Sequence, residues 1–193
     1  MGDEKKVKDI MAHIDEYNTI YVEAPVCEVL SILKENYEKI KGNVTGKFHK
    51  TLIVIDASNN IVGKLSVYDL VRGLVPEPAK KPEFSRSYYS ILSSRVLEVA
   101  DEVGQVQERF KWLHSTFFNL VRQECQKKVR DIMSPVHPLL VEEDNINKAI
   151  YVMFKENIRQ PVVTRKGKIV GVVNIMDIFP ILLEIAGGQP LPT

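Results

Sequence analysis

Val7-Lys8-Asp9-Ile10-Met11 returns 122 positions later as Val129-Arg130-Asp131-Ile132-Met133, and this recurrence decides how the rest of the chain is read. Self-similarity of this kind marks a structural unit used more than once. Two further matches keep the same order. Lys34-Glu35-Asn36 reappears as Lys155-Glu156-Asn157 at an offset of 121, and Val62-Gly63 ahead of Asp69 reappears as Val170-Gly171 ahead of Asp177 at an offset of 108. The fall from 121 to 108 gives the first copy 13 additional residues between Asn36 and Val62, placing an insertion around residues 37–50.

Each copy reads as strand, helix, strand, strand, helix. The opening strands are Ile20 to Val22 and Leu139 to Val141. The first helix of copy one has Pro25 near its start, where a missing amide proton is harmless, and Val26, Val29, Leu30 and Leu33 at helical spacing. Its counterpart is expected to be capped by Asp144 and to bury Ile146, Ala149, Ile150, Met153 and Phe154 on one face. The paired strands, Ile53-Val54-Ile55 with Ile61-Val62 and Pro161-Val162-Val163 with Ile169-Val170, are apolar and β-branched, as strands covered on both faces are. Asn59-Asn60 and Lys166-Gly167 supply the turn residues that tolerate positive φ. One such unit of ~60 residues buries too little surface to be stable alone, so the two copies are expected to pack sheet on sheet.

Composition bounds the function. With 26 Lys and Arg against 25 Asp and Glu, no overall field draws the chain to nucleic acid or an anionic membrane. The start lacks the apolar core of a signal peptide and no run reaches membrane-spanning length, which gives the expectation of a cytoplasmic protein. Cys27 and Cys125 are too few for a disulfide framework and read as buried structural thiols. His13, His49, His114 and His137 fall at no metal-ligand spacing, and no P-loop or nucleophile elbow is present. The reading is therefore no enzyme, no required cofactor and no metal.

Val-Lys/Arg-Asp-Ile-Met, a strand with Pro-Val-Val, and Val-Gly-x-x-Ser/Asn-x-x-Asp together resemble two motifs of the cystathionine beta-synthase (CBS) domain family, over about residues 5–76 and 128–187. The first copy departs through its insertion and through Ile53, where the family usually has Pro. The resemblance implies an α/β (α+β) fold, two repeats related by pseudo-two-fold symmetry with clefts between them. It divides the chain into motif 1 at 1–78, a helical insert at 79–128, motif 2 at 129–188 and a tail at 189–193.

In physical terms, Gly63-Lys64-Leu65-Ser66-Val67-Tyr68-Asp69 is a strand running into a helix that opens at Ser66. A helix start suits phosphate, and Asp69 offers two oxygens to the two hydroxyls of a ribose. The competing reading is that Ser66-x-x-Asp69 and Asn174-x-x-Asp177 are helix caps and nothing more. The resemblance favours a ligand, because the family's Ser/Thr and Asp contact phosphate and ribose; these fall on Ser66 and Asp69, and on Asp177 with Asn174 in the Ser/Thr place. The family's adenine pocket falls on Ala12, His13, Ser134, Pro135, Thr51, Leu52, Arg159 and Gln160. The copy-one insertion adds Lys39, Lys41, Lys47, His49 and Lys50, read as a solvated loop or a cover for phosphates.

Between the copies, Leu92, Val96, Val99, Val103, Val106, Phe110, Leu113, Phe117 and Leu120 alternate by four and three, a heptad seam that pairs with another helix or folds back on the chain. The seam and the resemblance both favour a homodimer. Two functions stand. One is a sensory module binding AMP, ADP, ATP, S-adenosylmethionine or NAD; the other is a ligand-free dimerisation scaffold for a client protein.

Overall fold

The computed structural model describes residues 5–42, 49–80, 104, 107–108, 110–137 and 139–187. The first repeat contributes β1 (Ala12–His13), β2 (Thr19–Tyr21), α1 (Val26–Lys41), β3 (Thr51–Ile55), β4 (Ile61–Ser66) and α2 (Val67–Gly73). After α3 (Glu77–Lys80) and α4 (Phe117–Glu124), the second contributes α5 (Val129–Ile132), β5 (Ser134–Pro135), β6 (Leu140–Val141), α6 (Ile146–Lys155), β7 (Val162–Arg165), β8 (Lys168–Val172) and α7 (Ile175–Gly187). The strands form two sheets, β2-β3-β4-β5 and β1-β8-β7-β6, in a mixed α+β fold.

The sheets exchange edges. β1 pairs with β8 of the other repeat, and β5 with β4. The Asp-Ile-Met segments travel with them: Val7 N donates to Asp144 O at 2.8 Å and Val129 N to Ala24 O at 2.9 Å. This explains why Met and Gly recur together in the sequence. A Cβ on Gly63 would meet Met133 Sδ at 2.6 Å, and one on Gly171 would meet both Met11 Sδ and the Ala12 carbonyl at 2.7 Å. Each glycine is the flat place on which the other repeat's methionine and edge strand rest.

The two hairpins share a bulge. Val54 faces Gly63 and then Ile55 faces Ile61, as Val163 faces Gly171 and then Thr164 faces Ile169. Aligning the repeats on this bulge places Thr51 opposite Gln160 in the sequence comparison and puts Leu52, rather than Ile53, in the position of Pro161. Positive φ at Asn59 (59°), Lys166 (49°) and Gly167 (78°) closes the turns as their residue types suggest.

Each sheet carries its own core. Ile20, Val26, Val29, Leu52, Val54 and Leu65 fill one, and Val7, Leu140, Ala149, Met153, Val163 and Val173 the other. Between the sheets, Tyr17, Ile53, Val162 and Val172 form a third cluster, which is the sheet-on-sheet burial that the small size of each repeat demands.

Several expectations need correction. The cap of α6 is Asn145, whose Oδ1 accepts from Lys148 N at 2.9 Å; Asp144 instead accepts from Val141 N at 2.8 Å, stabilising the preceding turn. Phe154 is 73% exposed, and Val152 is buried on that helix in its stead. Cys27 is exposed rather than buried. In the insert, Leu92, Val96, Val99, Val103 and Val106 lie outside the described residues. The described part of the seam is interrupted: helix over 110–113 gives way to a turn, and Thr116 opens α4 by accepting from Asn119 N at 3.3 Å. Among the described residues, no helix is long and apolar enough to cross a membrane.

Candidate functional site

The exchange of edges sets the site, because it brings the end of β5 against the end of β4 and the start of α2. Ser66 ends β4 in extended geometry and caps α2: its Oγ accepts from Asp69 N at 3.4 Å, while Asp69 Oδ2 accepts from Ser66 N at 2.7 Å and Ser66 Oγ at 2.6 Å. Asp69 is only 5% exposed. Its other oxygen, Oδ1, accepts from Ser134 Oγ at 2.7 Å. The capping reading is thus real. It also corrects the idea that both carboxylate oxygens face a ribose: Ser66 uses Oδ2 twice, and only Oδ1, with one bond from Ser134, keeps capacity for a further donor.

Above this corner lies a cleft of about 1020 Å³, at the upper end of the range for small-molecule pockets. Ser66, Asp69, Ser134, Pro135, Thr51, Arg159, Gln160 and Asn174 all line it. Residues from both repeats, far apart in the chain, therefore converge on one space. Leu52 lies instead in the core of the first sheet, fully buried. Ala12 and His13 form β1 on the other sheet, and Asp177 lies beyond the lining with Asn174 N bonded to its Oδ2 at 2.7 Å. Of the basic insertion, Lys50 lines the cleft, Lys41 Nζ sits 4.6 Å from the centre of the Tyr37 ring, and Lys47 is outside the described residues.

Among the lining residues that sequence reasoning passed over, two bear on the chemistry. Lys64 is 8% exposed, and its Nζ donates to the Gln160 carbonyl. Burial lowers its pKa to about 8, with the Asp69 charge opposing the shift. The signal was a lone lysine inside an apolar strand, at the place Val172 holds in the second repeat. Tyr68 is the other: Arg159 Cζ stands 3.9 Å from its ring centroid, joining the second repeat to α2 across the cleft. Cationic lining groups (Lys50, Lys64, Arg72, Arg159) outnumber the carboxylates of Asp69 and Glu156.

The corresponding place beside Asp177 is different. His49, which matches Ile158 in register, stacks on Tyr17 with ring centroids 3.9 Å apart and planes at 16°. Tyr17 is buried among Ile53, Val162 and Val172. Burial first, then the charges of Asp177 and Glu16, push its phenol well above the usual range. The Tyr17 ring thus stands close enough to Asp177 to feel its charge, whereas Asp69 lines the open cleft.

Residues 129–184 match the CBS domain family. No curated protein matches the chain. Among solved structures, the chain resembles a CBS-pair protein, CBSX2 from Arabidopsis thaliana, at 19% identity and a TM-score of 0.53, covering 96% of this chain and 99% of that one. A structure of CBSX2 in complex with AMP is similar at 18% identity and 0.51, covering 93% and 97%. A conserved CBS domain protein of unknown function from Thermoplasma acidophilum is similar at 15% and 0.55, covering 92% and 68%. At these identities the likeness is one of fold.

Proposed function

We propose that this chain, which carries a CBS domain at residues 129–184 and shares the fold of CBS-pair proteins, is a regulatory module whose open cleft binds an adenosyl ligand. The observation that carries the reading is the convergence of Ser66, Asp69, Ser134, Arg159 and Lys64 on one cleft between the repeats. That the similar CBSX2 has been solved with AMP supports the ligand class. The surplus of cationic lining groups favours the phosphate-bearing candidates AMP, ADP, ATP and NAD over S-adenosylmethionine, whose sulfonium adds positive charge.

Signalling follows from the Arg159–Tyr68 contact. A phosphate drawing Arg159 off the ring would change how the second repeat holds α2, and ligand affinity then differs between the two arrangements. The reading is tested by calorimetry with AMP on the wild type and Asp69→Ala. Losing one charged hydrogen bond should weaken AMP at least about tenfold and lower the melting temperature as well. If melting falls while AMP affinity holds, capping is the whole role of Asp69.

The scaffold reading rests on a separate observation: Tyr151 and Phe154 on α6 and Met176 and Leu183 on α7 are large apolar side chains left exposed. They support self-association as a homodimer, with or without a client protein. Sedimentation velocity showing a monomer at every concentration would remove the dimer.

A further inference from the structure

Strand alternation puts Lys64 where an apolar side chain belongs. Leu65 beside it is buried in the first core, Gly63 meets Met133, and the residue matching Lys64 in the second repeat, Val172, is fully buried between the sheets. At the open cleft an ammonium replaces that valine. Its hydrogen-bond partner is the neutral Gln160 carbonyl, and among the described residues Lys64 forms no ion pair. Asp69, the anion that acts on it, is already committed to Ser66 and Ser134. A buried ammonium with three donors and one neutral acceptor is costly, and such arrangements cluster where a ligand completes them.

We infer that Lys64 is a ligand-binding residue of this cleft, receiving an oxyanion of the ligand and coupling its capture to the proton on Nζ. The inference rests on the adenosyl reading and names how that site is regulated. The charged and titratable groups that line the cleft with Lys64 are Tyr68, Asp69 and Arg72 on α2, His137 after β5, Glu156 after α6, Arg159 before β7 and Lys50 before β3. Burial brings the Lys64 pKa to about 8, against the opposing charge of Asp69. The free protein therefore loses this proton in mildly alkaline solution, and an anion beside Nζ restores it. Affinity should be level from about pH 7 to 8 and then fall, by at most tenfold for each further pH step, as a proton must be taken up. AMP itself is a dianion throughout this range, since phosphate monoesters complete ionisation near pH 6.

The experiment is calorimetric titration of AMP into wild type, Lys64→Met and Lys64→Arg between pH 7 and 9.5, with the wild type repeated at pH 8.5 in buffers of different ionisation enthalpy. The expected result is proton uptake on binding to wild type and affinity falling more than about tenfold by pH 9.5. Lys64→Met should bind about tenfold or more weakly at pH 7 with a flat profile, and Lys64→Arg should retain affinity without the alkaline fall. AMP binding to wild type with no proton uptake and a flat profile overturns this inference and leaves the adenosyl reading standing. No AMP binding at any pH overturns both.

Discussion

Thr51 and Gln160 occupy the same position in the two repeats, and they hydrogen-bond to each other, Thr51 Oγ1 to Gln160 Oε1 at 3.1 Å. Equivalent residues thus meet across the contact between the repeats, at the edge of the cleft. On one side of it lie Lys64, Asp69 and Ser134, around open space. On the other, Tyr17, Val172 and Ile53 pack against each other. The same scaffold is thus polar and open in one half and aromatic and filled in the other.

This bond should be measurable as a coupling. In a double-mutant cycle of Thr51→Val and Gln160→Leu, urea denaturation should give about 1 kcal/mol of interaction energy, since losing Gln160 leaves the buried Thr51 hydroxyl unpaired. Additive single effects would place the two side chains apart.

Lys64 gives a pH signature without any ligand. Its folded pKa of about 8 lies below that of the unfolded chain, so below pH 8 the folded state holds a proton it disfavours, and stability rises as pH climbs through the folded value. Relative to Lys64→Met, wild type should gain stability as pH rises from 7 through 8 and beyond, by up to roughly 3 kcal/mol once the unfolded lysine also loses its proton. A difference that does not change with pH would mean that Lys64 is solvated.

The glycines under the exchanged edges should differ in tolerance. Gly171→Ala drives a methyl into the Ala12 carbonyl, which is fixed by the β1–β8 pairing, and should cost about 1–3 kcal/mol. Gly63→Ala meets chiefly the Met133 side chain, which can turn aside, and should cost less. Equal losses in chemical denaturation would contradict the packing described for β1.

Because Asp177 lies outside the cleft lining and acts on Tyr17, which stacks on His49, AMP should bind one to a chain. Asp177→Ala should leave AMP affinity within about twofold, as a residue outside the contact set does. A stoichiometry of two from calorimetry would show that the aromatic pair yields to ligand.

Much of this was legible in the sequence because the fold repeats itself. The Met11–Gly171 and Met133–Gly63 contacts leave paired motifs, and the turn residues Asn59, Lys166 and Gly167 announce the hairpins. The exchange of edges was not legible, since a strand's own pattern is the same whichever sheet it joins. Asp144 and Asn145 are adjacent residues that can each cap a helix, and only backbone geometry separates them. The saturation of Asp69 Oδ2 depends on Ser66 taking two bonds, which no motif records. Lys64 could have been found, as a charge in a strand otherwise built for burial. The Tyr17–His49 stack could not, because nothing in local periodicity links the two residues.

The most direct test is a crystal structure of the protein grown with AMP. The account predicts AMP in the cleft between the repeats, with phosphate oxygens within hydrogen-bonding distance of Lys64 or Arg159 and a ribose hydroxyl on Asp69 Oδ1. AMP seated beside Asp177 with the Tyr17–His49 stack displaced, or a cleft left empty at saturating AMP, would contradict it.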